Sequence, residues 1–335
     1  MKSVLPTARV GGPATTSPSS ENACNYLKGF LDHVASGKSL ADGKSIPLDF
    51  ISFHAKGKPT IVDNRVTMGI QHELADADSG FHLISQYPQY RSLPIILSEA
   101  DPEGCAACSS RVNPANNYRN GTLYPAYTAV AFKALFELQD KHQVNLLSML
   151  SWSFEFEDKD FFEGFRSLST NGINKPVLNL FRMLGLISGT RVATTSTASV
   201  PLETLVSTGV RQAADVDAMA ALDDRKATVL LWNYHDADQP APAMPTSVRL
   251  SGLPAGVKRV LVQHYRIDET HSNAYTAWKA MGSPQQPTTE QYAQLQAVAG
   301  LQLLTSPAWT DVVDGRLDFA TALPRQSISL VTITW

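Results

Sequence analysis

Three apolar runs in the first half of the chain end in polar side chains. LPIILSEAD (93–101) carries Glu99, LDFISFHAKG (48–57) carries His54, and NLLSMLSWSFEFED (145–158) carries Trp152, Glu155 and Glu157. This mixture of types suits a sugar. An indole face packs on the apolar face of a pyranose, carboxylates accept hydrogen bonds from its hydroxyls, and an ionised carboxylate can attack an anomeric carbon. Glu99 is the candidate nucleophile, and a donor such as His54 beside it would favour the ionised form. Glu155 and Glu157 share one strand face at a spacing of two, so one is expected to bind substrate and the other to make an ion pair. Each residue also has an ordinary reading: a hydrogen-bonded core histidine, a packing tryptophan, a structural carboxylate. Three consecutive runs ending this way favour chemistry. Asp101 and Glu103, just beyond Glu99, read as residues that structure a loop.

The elements that must position these residues alternate between short apolar runs and amphipathic stretches. ARVGGPA (8–14) is followed by a helix start at Ser17 and Pro18, and Ala23, Tyr26, Leu27, Phe30, Leu31 and Val34 recur at helical spacing until Gly37. A second helix is expected over 68–87, a third opening at Pro125 and a fourth over 176–188. Four strand–helix units in succession imply a parallel sheet with right-handed crossovers. A closed barrel of such units needs eight, with its active site where the strands end. From Thr190 the sequence turns small and polar, like a linker. Beyond it, 227–235, 246–254, 258–268 and 326–335 are β-branched and strand-length, as in an antiparallel sandwich, with one helix expected over 288–304.

Composition excludes several classes. The chain has 335 residues, a hydrophobic fraction of 43%, a charged fraction of 18% and a net charge of −3. That is a globular protein of two-domain length, with no reason to seek nucleic acid or an anionic membrane. No apolar stretch approaches the roughly 18 residues of a membrane span, and the N-terminus has no apolar core of a secretory signal. Cys105 and Cys108 form a C-x-x-C, a redox pair or half of a zinc site in other settings. Only Cys24 remains besides them, so a loop carrying two thiols is the expected reading, and no metal or cofactor is expected.

Several segments together resemble one family. DFISFHAKG, ILSEADPEGCAAC, YRNGTLYPAYTA, LSWSFEFED, FFEGFRSLSTNGINKPVLNLFRMLG and HYRIDETHSNAY are similar, in order and along nearly the whole chain, to the bacterial β-xylosidases of glycoside hydrolase family 39. The resemblance implies an α/β plus all-β fold: the C-terminal half of a (β/α)8 barrel over 1–189, strands five to eight, followed by an antiparallel β-sandwich over 190–335. It implies hydrolysis of terminal β-xylosyl residues of xylo-oligosaccharides by double displacement, with Glu99 as nucleophile and His54, Trp152, Glu155 and Glu157 toward the sugar. Some relatives carry Tyr where this chain has Lys56.

The family's acid/base is a Glu directly after an Asn, and no Asn-Glu dipeptide occurs in this sequence. Barrel strands one to four and the acid/base are therefore expected to be absent. Loss of the general acid removes about 10²–10⁴ of rate, so a glycosidase of impaired activity is expected. Exposed barrel edges would allow self-association. Three readings follow: the C-terminal portion of a β-xylosidase, a half-barrel completed by another chain, or a non-catalytic carbohydrate-binding or interaction protein. Cytoplasm and periplasm of a bacterium both fit.

Overall fold

The computed structural model describes residues 2, 4–40, 42–151 and 153–335. The first part is a four-stranded parallel sheet in sequence order: β1 (Gly11–Thr16), β2 (Phe50–Lys56), β3 (Pro94–Asp101) and β4 (Asn145–Met149). Each strand is followed by a helix: α1 (Glu21–Ser36), α2 (Ile70–Ser85), α3 (Leu123–His142) and α4 (Pro176–Gly185). Ile51, Phe53 and Ala55 of β2 and Ile95 and Leu97 of β3 are fully buried, Phe53 against Phe81 of α2. These residues alternate with Ser52, His54 and Lys56, which take the opposite face.

A bulge interrupts that alternation at the position that matters. Phe53 pairs with Leu97, yet His54 pairs with Glu99 and Lys56 with Asp101. The extra residue is Ser98. Leu150 brackets it, donating its N–H to the Leu97 carbonyl and accepting from Ala100 N–H at 2.9 and 2.7 Å. Simple alternation would put Glu99 on the helix side with Leu97. The bulge turns Glu99 and Asp101 to the side of His54 and Lys56, a re-aiming that bulges beside functional sites often perform.

Several expectations need correction. Helix α1 begins at Glu21, not at Ser17, because Ser17 adopts a left-handed turn and its carbonyl accepts from Ser20 N and Oγ. Strand β4 stops at Met149, so Glu155 and Glu157 belong to the following loop and not to a strand face. The segment after Thr190 is no linker. Thr190–Val192 forms an edge strand, and Thr194 and Ser196 donate their hydroxyls to the Ala218 and Val216 carbonyls. The small polar residues there serve a sheet edge.

The second part is a six-stranded antiparallel sheet in the order Gln302–Asp311, Arg259–Ile267, Ser327–Thr334, Lys226–Tyr234, Asp215–Asp223, Thr190–Val192. A ribbon of Met244–Ser251 and Arg316–Leu323 covers one face, where Val229, Leu231, Val331 and Ile333 meet Leu317 and Leu323. The alternate residues Leu230, Trp232 and Leu330 join the main core that includes α2 and α3. One sheet thus serves two cores, so its strands are apolar on both faces. Two helices, Ala274–Ala280 and Thr289–Ala299, leave this sheet and pack Trp278 and Leu295 against Phe162 and Ile173 of the loop region after β4.

Gly80 of α2 lies over the Phe53 ring, and a Cβ there would come within 2.5 Å of it. Alanine normally improves a helix over glycine by about 1 kcal/mol. Here the clash reverses the sign: Gly80→Ala should destabilise by about 1–3 kcal/mol, read as a lower denaturation midpoint. A raised midpoint would show that α2 can move off β2.

Candidate active site

The C-terminal ends of β2 and β3 bring a string of charges together. Lys56 Nζ lies 2.5 Å from Glu99 Oε2 and 2.5 Å from Asp101 Oδ2. Asp101 Oδ1 receives Arg166 NH1 at 2.5 Å and the Ser151 hydroxyl at 2.7 Å. Arg166 Nε lies 2.7 Å from Glu103 Oε1, whose other oxygen is 3.1 Å from Arg119 NH2. The side chains of Asp101 and Arg166 are fully buried, whereas Glu99 keeps 26% of its side chain exposed. Only Glu99 of the three carboxylates can be approached from outside.

His54 Nδ1 is 3.8 Å from Glu99 Oε1, beyond hydrogen-bond reach. Lys56 therefore holds the nearer positive charge, a role the sequence reading did not give it. The ammonium ties down Oε2 of Glu99, and Oε1 lies on the side toward His54. A legible signal did exist: residues 54 and 56 fall on one strand face, as do 99 and 101.

Asp101 does more than structure a loop, since it shares Lys56 with Glu99. Burial pushes its carboxyl above the ordinary range, and Arg166 and Lys56 oppose that push. Glu103 does structure the loop, accepting from Cys105 N–H at 2.6 Å. Cys105 and Cys108 are joined by a disulfide, which corrects the expectation of two thiols.

The residues expected after β4 are dispersed. Glu155 Oε1 accepts from Gly172 N at 3.1 Å, and its Oε2 accepts from the Ser169 hydroxyl at 2.5 Å. Its oxygens thus hold the tight hairpin of Ser169–Thr170 and Ile173–Asn174. Glu157 is exposed. Trp152 lies outside the described residues. Among the described residues no three His, Cys, Asp or Glu side chains converge as a metal site, and no helix is long and apolar enough to cross a membrane. A cavity of about 450 Å³ lined by Phe132, Phe136, Leu184 and Met219, with Gln139 and Arg191, is largely apolar and holds none of the site carboxylates.

Behind the site, Glu73 of α2 is buried and accepts from the Tyr127 hydroxyl at 2.5 Å. Burial pushes it up to about 8, against the pull of the Tyr127 bond and with the Asp101 charge adding to the rise. Sequence periodicity gave no warning, because an acid on a buried helix face breaks the amphipathic pattern.

Known proteins share this arrangement of chain. Residues 1–316 match the sequence profile described as glycosyl hydrolases family 39. The chain belongs to that family. It is 25% identical over 315 residues to the α-L-iduronidase of Mus musculus, covering 88% of this chain and 46% of that protein. It is 22% identical over 350 residues to a β-xylosidase of Geobacillus stearothermophilus, covering 99% of this chain and 59% of that one. Among solved structures, a monomeric β-xylosidase from Caulobacter crescentus CB15 superposes with a TM-score of 0.71 at 19% identity, covering 99% of this chain and 62% of that chain. A bacterial orthologue of human α-L-iduronidase superposes with a TM-score of 0.72 at 20% identity, covering 99% and 56%. These superpositions are likenesses of fold. The chain spans about half the length of the curated iduronidases it matches.

The raised Glu73 makes a signed prediction. Its stabilising contribution is intact below the ordinary value of 4.5 and declines as pH rises toward about 8, because the unfolded carboxyl ionises first. Glu73→Gln keeps the shape without the titration, so its melting temperature should fall less than that of the wild type between about pH 5 and about pH 8. Parallel declines in the two proteins would mean that Glu73 is ionised in the fold.

Proposed function

We propose that these residues belong to a retaining glycosidase of the β-xylosidase type, with Glu99 as nucleophile. One observation carries the reading: a bulge at Ser98 aims a partly exposed carboxylate to the face that holds His54 and Lys56, at the ends of adjacent parallel strands. In the proposed reaction Oε1 attacks the anomeric carbon while Lys56 holds Oε2. The glycosidic oxygen departs with the bonding pair, and water then cleaves the glycosyl ester at the same carbon. His54 and Glu157, with Trp152, are proposed to face the sugar, and Glu155 to shape the loop that carries Glu157.

A retaining site sets its second carboxyl about 5–5.5 Å from the first. The family's Asn-Glu pair is not in this sequence, so the acid/base is assigned to none of these residues, and turnover of poor leaving groups by them alone should be weak. Residues 1–189 read as strands five to eight of a barrel and 190–335 as its sandwich. Leu147 of the outer strand β4 and Leu150 just beyond it are exposed and are proposed to mark where further strands would pair, whether from the same chain or another. Lys56 supports a second reading of the substrate: a cation beside the nucleophile could meet the carboxylate of a uronide, and α-L-iduronidases are among the relatives.

An activated 2-fluoro-xyloside needs no general acid to leave, so it tests Glu99 directly. Intact-mass analysis of the full-length protein should show one glycosyl adduct, mapped to Glu99 and abolished in Glu99→Gln. An adduct on another carboxylate would refute the assignment. Xylose binding without any adduct would favour a non-catalytic binding protein. Turnover of an aryl α-L-iduronide more than about tenfold faster than an aryl β-xyloside, one order of magnitude in transition-state binding, would select the uronide.

A further inference from the structure

The C-x-x-C after Glu99 has no part in the proposed chemistry, yet its backbone touches the charge string at several points. Glu103 Oε2 accepts from Cys105 N–H at 2.6 Å, and Glu103 Oε1 lies 2.7 Å from Arg166 Nε. The carbonyl of Ala106, inside the ring, accepts from the Arg166 backbone N–H at 3.0 Å. The Cys108 carbonyl accepts from Arg119 NH1 at 2.6 Å and Asn116 Nδ2 at 3.1 Å. Arg166 arrives from the loop after β4, so the ring joins the loops that follow β3 and β4.

We propose that the loop closed by Cys105–Cys108 is a positioning device for Glu99. The ring holds Arg166 by its backbone and, through Glu103, by its guanidinium. Arg166 fixes Asp101, and Asp101 fixes Lys56 against Glu99. Glu103 and Arg166 are positioning residues that act on the nucleophile only through Asp101 and Lys56. This inference rests on the assignment of Glu99 as nucleophile.

The device is open to chemistry from outside. Cys105 is exposed and Cys108 half-buried, and accessible disulfides are the readily reduced ones. A dithiol reductant supplies two electrons and two protons: the S–S bond breaks, each sulfur becomes a thiol, and the reductant closes its own disulfide. The ring's constraint on Glu103 and on the Ala106 carbonyl is then lost, because a cross-link acts by removing conformations from the open chain.

The test compares the oxidised protein, the dithiol-reduced and alkylated protein, and Cys105→Ser/Cys108→Ser, all in a Cys24→Ser background. Circular dichroism confirms that each is folded at the assay temperature. Two readouts are taken. The first is solvent exchange of the Arg166 Nε–H, assigned by NMR, which needs no glycosidase activity. The second is kcat and KM on an aryl β-xyloside with the full-length protein. Opening the ring should speed Arg166 exchange at least tenfold and lower kcat about tenfold with KM nearly unchanged, and reoxidation should restore both. Unchanged exchange and unchanged kcat in the opened forms, with only a lower melting temperature, would reduce the ring to a structural staple and overturn the proposal. Faster exchange in the opened forms, with no 2-fluoro-xylosyl adduct on Glu99 in the oxidised protein, would uphold the clamp on Arg166 while sinking the nucleophile assignment on which its function rests.

Discussion

Asp101, buried between Lys56 and Arg166, is the contact on which the rest of the site depends. A carboxylate with no solvent access needs compensation by charge, and here one oxygen meets an ammonium and the other a guanidinium and a hydroxyl. Removing one partner of such a buried pair typically costs about 3–5 kcal/mol, because the other charge is left uncompensated. The pair therefore fixes its neighbours. Lys56 bridges Glu99 and Asp101, and Arg166 cannot swing away without leaving Asp101 and Glu103 each short of a cation. The geometry of the accessible carboxylate, Glu99, is inherited from one that no ligand can reach.

That arrangement needs a rigid backing, and the six-stranded sheet supplies part of it. Leu230, Trp232 and Leu330 are buried in the core that also holds Phe53, Phe81 and Tyr127. Trp232 spends its indole N–H on Asp215 at 2.7 Å, which allows so large a side chain to be fully buried. The excursion between Arg259–Ile267 and Gln302–Asp311 reaches the other side of the site. Gln285 of that excursion accepts from Phe161 N at 2.7 Å and donates to its carbonyl at 3.2 Å. The loop that carries Glu155 and Glu157 is thus held by residues more than a hundred positions away.

This explains what the sequence disclosed. Strands β2 and β3 and helices α2 and α3 were legible because their apolar spacing is local, and Glu99 stood out because it ends an apolar run. The face on which Glu99 lands was not legible, since strict alternation points it toward the helices and only the pairing of Ser98 reverses that. Lys56, Asp101 and Arg166 find one another across separations of 45 and 65 positions, which no window of spacing registers. Glu155 misled for the opposite reason. An alternating FEFE segment imitates a strand, but β4 ends at Met149, where Leu150 turns to bracket the bulge. The small hydroxyl residues after Thr190 imitated a linker because a sheet edge and a flexible tether both favour short polar side chains.

The charge count bears on which sugar the site would take. Along the string, Glu99, Asp101 and Glu103 alternate with Lys56, Arg166 and Arg119, so three carboxylates face three cations. A neutral pentose leaves that balance intact. A uronide adds a fourth negative charge, and Lys56 could meet it only by loosening its hold on Glu99 or Asp101. Loosening from Glu99 frees Oε2 and makes the carboxylate a stronger nucleophile; loosening from Asp101 leaves a buried charge with Arg166 alone. An anionic sugar would therefore couple its own binding to release of Glu99 from Lys56. A neutral one would find Glu99 already set by Lys56, with no counter-ion to displace. On charge alone a neutral pentoside asks less of the fold than a uronide.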